Sequence, residues 1–431
     1  MFRNSCLKRA AILVCLLIIL VILYFIPPIH DRLSWRLDNL RAKVIYALKP
    51  PENVVFVPED ISATALSSAG LLDETRSPTP LPTKTQAPLQ NTTPSPTPTA
   101  SPVPTAIPAQ VTLNGVVHEY QKWNNCGPAN LAMLLSFWGW QGTQVDTAAL
   151  LKPNPRDNNV MPGEMLTFIT EQTDLKAIMR YGGDLVLLKR LIAAGFPVLV
   201  EKGLIHDNGW MGHYQALTGY DDERGVFIAQ DSLIIPNLPV PYEQMEKDWR
   251  VFANVYLVAY PAGRESLLKD VLGDRWDENV SIRLAEKIMM EDTTRLKGRD
   301  LAFAWFSLGT SYTLTKQYPE AASAYDKYFV LYSTLPKENR PWRMVWYQNG
   351  PYEAYYYTGR YKDVVSLASI TLSALTERLL EEACYWRALA KEKLGDTEGA
   401  VIDLQQALER NPLYTPARVE LERLQNSGQT Q

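Results

Sequence analysis

Cys126 stands alone ahead of Gly127-Pro128 and the mostly apolar run Ala129-Asn130-Leu131-Ala132-Met133-Leu134-Leu135. Proline is favoured in the first turn of a helix, so Pro128 marks a helix start directly after the thiol. Unpaired backbone N–H groups and the positive end of the helix dipole then face Cys126, and that field favours the thiolate. Gln121, five residues upstream, brings an amide donor to the same place. A thiol at a helix N-terminus beside an amide donor points to cysteine-nucleophile acyl chemistry.

Such a thiol needs a base, and the base needs an orienting group. The chain has four histidines, His30, His118, His206 and His213. His30 adjoins an apolar N-terminal run, and His118 and His206 read as incidental. Gly212 to Tyr220 reads as a strand, Asp221 to Gly225 as a turn, and Val226 to Asp231 as the returning strand. With Tyr220 paired to Val226, Asp231 is the diagonal neighbour of His213 on one face, about 7–8 Å away between Cα atoms. A slip of one residue would separate them. In that register Asp231 orients His213, and His213 deprotonates Cys126 and later protonates the leaving amine.

Gln121, Asn125-Cys126-Gly127-Pro128-Ala129, Gly212-His213-Tyr214, Gly219-Tyr220-Asp221 and Gln230-Asp231-Ser232 together resemble the bacteriocin-processing, double-glycine leader peptidases. The stand-alone peptidase-like domains of that papain-like family are the closer likeness, over Val111 to Pro261. The resemblance implies an α+β papain-like cysteine peptidase fold with Cys126 as nucleophile, His213 as base and Asp231 as orienter. Gln121 and the Cys126 backbone N–H would form the oxyanion hole. The family usually carries Asp where this chain has Asn125, and a six-residue spacing where Gln121 is five from the cysteine. No transporter-like membrane domain or nucleotide-binding loop follows, so neither coupled export nor Gly-Gly leader specificity is implied.

The elements that must position these residues are legible between them. Pro162 to Gln172 and Asp184 to Ala194 read as helices, and Leu175 to Arg180 and Phe196 to Val200 as strands. Met245 to Arg250 reads as a short helix before a strand over Val255 to Tyr260. A helical lobe carrying the thiol and a sheet carrying the base would place the site in the cleft between them.

The flanks have other characters. Residues 10–29 are free of charge and apolar apart from Pro27 and Pro28, long enough for a transmembrane anchor, which needs about 20 residues. Residues 30–76 form a juxtamembrane helix and connector, with Leu33, Leu37, Leu40, Val44 and Leu48 on one helical stripe. Residues 77–110 are a Pro/Thr/Ser-rich stalk, expected to be extended. Such a spacer suits a single-pass cell-membrane protein with residues 111–262 outside the cell. Lys and Arg on both sides of the span do not fix that orientation. Residues 1–49 carry a balance of +6 against a total of −4, so the remainder is acidic and does not invite nucleic acid.

Residues 263–431 read as an all-α tetratricopeptide solenoid, resembling that repeat family. Trp305, Leu308, Gly309, Tyr312, Ala321 and Tyr325 form one copy, and Ala388, Gly395-Asp396, Ala400, Leu404, Ala407 and Pro412 another. Tyr355 to Leu375 is a degraded copy with its turn at Gly359-Arg360-Tyr361. Trp276 to Lys297 supplies an earlier helix and Tyr414 to Leu424 a capping one. Stacked helix pairs build a surface for a protein partner or the substrate.

No Cys/His spacing suits a metal and no loop suits a phosphate-bearing cofactor, so none is expected. Cys126 and Cys384 are the cysteines beyond the span, in different domains, which excludes a disulfide framework. The leading expectation is a membrane-anchored cysteine peptidase acting on peptides or proteins. Two others stand beside it: an inactive peptidase fold serving as a surface adaptor, and acyl transfer to an amine.

Overall fold

The structure, a computed structural model, describes residues 14, 15, 18, 22, 24–48, 54–59, 107–157, 159–206, 209–376 and 380–428 of the chain. Helix α1 (Pro27–Leu48) precedes strand β1 (Gln110–Thr112). A helical lobe follows, made of α2 (Cys126–Ser136), α3 (Gln144–Leu151) and α4 (Pro162–Gln172). The next elements are β2 (Lys176–Arg180), α5 (Leu185–Ala193), β3 (Val198–His206), β4 (Gly209–Asp221), β5 (Val226–Gln230) and β6 (Leu238–Pro241). Helix α6 (Tyr242–Trp249), β7 (Tyr256–Tyr260) and α7 (Glu265–Leu272) complete this part of the chain.

The strands form one antiparallel sheet in the order β2-β7-β3-β4-β5-β6, with β1 paired to the far end of β4. Its central strand β4 is buried over nearly its whole length, because helices cover both faces. On one face Leu199, Tyr214, Ala216 and Leu257 pack with Leu131, Leu134 and Ile169 of the helical lobe. On the other, Val198, Val200, Leu217 and Val258 pack with Leu187, Leu191 and Trp249. That core extends past Pro261 to Leu268 and Leu272 of α7.

Local chemistry sets the element ends. Thr143 and Asp146 make a reciprocal capping box at α3. Asp184 caps α5 by accepting the Leu187 N–H at 2.8 Å. The expected helix over Pro162 to Gln172 has those bounds, whereas the expected Met245 helix begins earlier, at Tyr242.

The C-terminal helices are α8 (Glu278–Arg295), α9 (Gly298–Leu314), α10 (Tyr318–Thr334), the single turn α11 (Met344–Tyr347), α12 (Gly350–Tyr357) and α13 (Tyr361–Ala374). After them come α14 (Glu381–Lys393), α15 (Thr397–Arg410) and α16 (Thr415–Gly428). The pairs α9/α10, α12/α13 and α14/α15 are the three helix pairs read from the sequence, with α16 as cap. Gly309 and Ala321 let α9 and α10 close on Tyr325, which is fully buried.

This helical region shares a core with the sheet. Trp210, Val251, Phe252 and Val255 are buried in one cluster with Phe303, Phe306, Met344 and Tyr347. The Ser307 hydroxyl donates to the carbonyl oxygens of Arg250 and Val251, and Arg343 Nη1 donates to the Trp210 carbonyl at 2.9 Å. A Cβ at Gly212 would stand 3.0 Å from the rings of Phe252 and Tyr347, so the strand carrying His213 meets α11 at backbone distance.

Half of the expected span over residues 10–29, and the stalk up to residue 106, lie outside the described residues. Among the described residues no helix is long and apolar enough to cross a membrane. The stripe Leu33, Leu37, Leu40, Val44 and Leu48 is exposed on α1.

Candidate active site

Asn124 takes a left-handed backbone, φ 50°, which Asn tolerates better than most residues, and the chain turns there into α2. Helix α2 begins at Cys126 itself, and Asn125 gives it no side-chain cap. The Asn125 amide is committed elsewhere, donating to Gln144 Oε1 at 2.8 Å. The first N–H groups of α2 therefore stay open beside the thiol. Gly127 lets the helix start lie against Val160, whose Cβ is 3.1 Å from where a Gly127 Cβ would be.

His213 is fully buried, and its Nε2 lies 3.0 Å from Asp231 Oδ2. Because a carboxylate only accepts, Nε2 carries the proton in the neutral ring, and the lone pair is on Nδ1. Nδ1 has no hydrogen bond of good geometry. Cys126 faces the ring closely enough for thiol and imidazole to shift each other's pKa.

Asp231 is buried and fully bonded. Its Oδ2 also accepts from Gln215 Nε2 at 2.6 Å, and its Oδ1 accepts the backbone N–H groups of Leu233 and Ile234 at 2.8 and 2.9 Å. Burial pushes its pKa up, but the His213 charge and these bonds outweigh that and hold it well below the usual carboxylate range. For His213, burial works against the charged ring, and the Asp231 carboxylate overcomes it, raising the pKa to about 9. Burial also opposes the Cys126 thiolate. The imidazole, the Tyr214 N–H and Lys152 prevail and lower the thiol below its ordinary value. Cys384, in contrast, is buried in the helical region, where desolvation raises its pKa to about 11.

Gln121 is half-buried beside this group. Its backbone N–H donates to the Ser232 carbonyl at 2.8 Å, and its Oε1 accepts from the Ser232 hydroxyl at 2.8 Å. The oxygen end of the amide is thus fixed on Ser232, which leaves the NH₂ end for another acceptor.

Sequence reasoning missed five supporting residues. Ser232 also accepts from Asn130 Nδ2 at 2.8 Å, and Asn130 in turn donates to the Cys126 carbonyl, so one hydroxyl ties Gln121 to the thiol's helix. Gln215 shares Asp231 with His213; its place two residues after His213, on the same strand face, was the signal for it. Lys152 Nζ donates to the Asn124 carbonyl at 2.8 Å, close enough to Cys126 to act on its charge. His118, expected to be incidental, bonds through Nε2 to the Asp231 carbonyl at 2.9 Å. Nothing in the spacing of Lys152 or His118 marks those contacts. Among the described residues no group of His, Cys, Asp or Glu is arranged to hold a metal.

The hairpin departs from the assumed register only near its turn, where Asp221, not Tyr220, pairs with Val226. A bulge between Leu217 and Gly219 shifts the ladder by one residue and restores the assumed register, with Ala216 opposite Gln230.

Residues 113–257 match the Peptidase_C39 like family. The match runs from just after β1 to the start of β7 and takes in every site residue, and a tetratricopeptide repeat follows it, matched over residues 381–412. A C39-like peptidase from Bacillus anthracis is a solved structure to which the chain is similar. It is 19% identical and covers 35% of this chain and 96% of its own, with a TM-score of 0.29, too low to carry an argument. No curated protein matches.

Proposed function

We infer that this protein is a cysteine peptidase that hydrolyses peptide bonds through Cys126, His213 and Asp231. The observation that carries this reading is the chain from a half-buried thiol to a buried imidazole and carboxylate. Cys126 heads an uncapped helix and faces His213, whose other nitrogen is held 3.0 Å from an ionised Asp231. The Cys126 thiolate attacks the peptide carbonyl carbon. Negative charge grows on the carbonyl oxygen, where the open N–H groups of α2 and the Gln121 amide stabilise it. Protonated His213 gives its proton to the leaving amine, leaving an acyl group on Cys126. Neutral His213 then takes a proton from water as the water oxygen attacks the acyl carbon; the C–S bond breaks, which releases the acid and restores the thiolate–imidazolium pair.

The apolar N-terminal residues 10–29 serve as the single membrane anchor, with the C39-like domain outside the cell. The apolar stripe on α1, exposed in the structure, supports a membrane or self-pairing role for that helix. The tetratricopeptide region serves protein recognition.

The test uses the full chain. Alkylation of Cys126 is followed against pH in the native protein and in His213→Ala, alongside peptide hydrolysis by Cys126→Ala. The reading requires a thiolate that forms at lower pH in the native protein than in His213→Ala, and no hydrolysis by Cys126→Ala. Hydrolysis that survives Cys126→Ala would falsify it.

A further inference from the structure

Residues 54–59 lie on the helical region, far in sequence from what they touch. Phe56 is 4% exposed, its ring edge-on to Phe329 at 4.7 Å between centroids and tilted toward Tyr355 at 6.1 Å. Pro58 is buried as well, while Val54, Val57 and Glu59 are exposed. That alternation belongs to an extended segment laid in a groove. The groove runs between α10 and α13, and Trp342 and Val345 also line it.

The groove also holds the backbone. The Glu59 N–H donates to Asp363 Oδ1 at 2.9 Å. Asp363 is buried, and its other oxygen is fixed by Arg360, which also grips Asp326. This polar end is built entirely from the helical region. Nearer the N-terminus, Tyr46 of α1 packs edge-on to Trp342 at 5.5 Å between ring centroids, and Arg343 lies over its ring. A cavity of about 60 Å³ remains beside Val54 to Phe56, so the seat is looser than the fully packed cores.

We propose that the α10–α13 groove is a binding site for extended peptides of the form Phe-x-Pro, occupied in cis by Val54 to Glu59. The aromatic pocket reads Phe56, the adjoining surface takes Pro58, and Asp363 captures the next backbone N–H. The consequence is mechanical. Glu59 is pinned to α13, and the Pro108 carbonyl accepts the Tyr220 hydroxyl at 2.6 Å on the sheet. Residues 60–107 therefore begin and end on one folded body while the segment is seated. Seated, they cannot distance that body from α1; once the segment and the Tyr46 contact are both released, they can. A partner peptide with the same pattern would displace the segment and extend the protein.

The experiment takes the full chain with an N-terminal tag and a protease site placed within residues 60–107. After cleavage, the tagged fragment is captured and the retained body measured. The body should stay with the fragment, and a synthetic peptide of residues 52–61 should displace it. Phe56→Asp should weaken retention roughly tenfold to a hundredfold, the worth of one buried aromatic side chain. Equal loss of the body from native and variant chains overturns the proposal. Retention that the peptide cannot displace overturns it too, and this arm does not depend on the variant folding. Mixing tagged and untagged chains before cleavage tests the occupant: capture of untagged body means a second copy supplies the segment and overturns occupation in cis.

Discussion

His213 and Asp231 meet because strand β4 contains one extra residue. Near the hairpin Gly219 faces Ile228, whereas beyond the bulge Ala216 faces Gln230. One step further, Gln215 stands opposite Asp231 and donates to it, with His213 on the same face. Without the bulge Asp231 would stand opposite Ala216, on the face away from His213. The bulged residue is itself secured: the Thr218 carbonyl accepts the Leu113 N–H at 2.7 Å, and its hydroxyl accepts from Gln230 Nε2 at 3.0 Å.

Asp231→Asn keeps the shape and removes the charge. The raised pKa of His213 depends on that charge, so the ring should titrate well below 9 in the variant. We expect kcat to fall by about 10²–10⁴-fold and the alkaline limb of the pH–rate profile to move to lower pH. An unmoved limb would show that Asp231 does not set the state of His213.

The pH dependence of stability follows from the same pair. The folded pKa of His213 lies above its unfolded value of 6.5, so its contribution is full below 6.5 and is lost as pH rises through about 9. The folded pKa of Asp231 lies below its unfolded value of 3.8, so its contribution is full above 3.8 and is lost as pH falls toward the folded pKa. Both are complete between 3.8 and 6.5. Native-minus-His213→Gln differences in denaturant midpoint should therefore shrink from pH 6 to pH 10. A constant difference would contradict the assignment.

Ser232→Ala cuts the link from Gln121 to Asn130. Each freed polar group costs about 1–3 kcal/mol where it stays buried and unpaired. The thiol should keep its lowered pKa, because Ser232 is not among the groups that shift it. We expect kcat to drop roughly tenfold to a hundredfold with KM little changed, the pattern of a lost transition-state interaction. A rise in KM alone would place Gln121 in substrate binding instead.

Removing residues 278–431 should not leave a working C39-like domain. The cut uncovers Trp210, Val251, Phe252 and Val255, which share a buried cluster with the helical region. We expect the fragment to bind hydrophobic dye and to lose its cooperative thermal transition. Tyr347→Ala, a milder form of the same cut, should cost about 3–5 kcal/mol in the full chain. A stable, active fragment would show that the shared core is dispensable.

The sequence by itself determined whatever rests on local spacing. Cys126 ahead of Gly127-Pro128 announced a helix headed by a thiol, and Gly212 to Tyr220 announced a strand carrying His213. The repeated small residues Gly309, Ala321 and Ala400 announced paired helices. Each is a short-range consequence of backbone geometry, and each element is present near its expected bounds. Tertiary structure decided what depends on register and on distant partners. The single bulge at Thr218 is invisible to a period-two pattern, yet it decides whether Asp231 reaches His213. Ser232, Lys152 and His118 gain their contacts only when remote segments fold together. The shared core of Trp210 and Tyr347, and the seat of Phe56 against Phe329, join residues more than a hundred positions apart. Burial of apolar surface is non-directional, so composition shows that such surfaces must be covered, and only the folded chain shows by what.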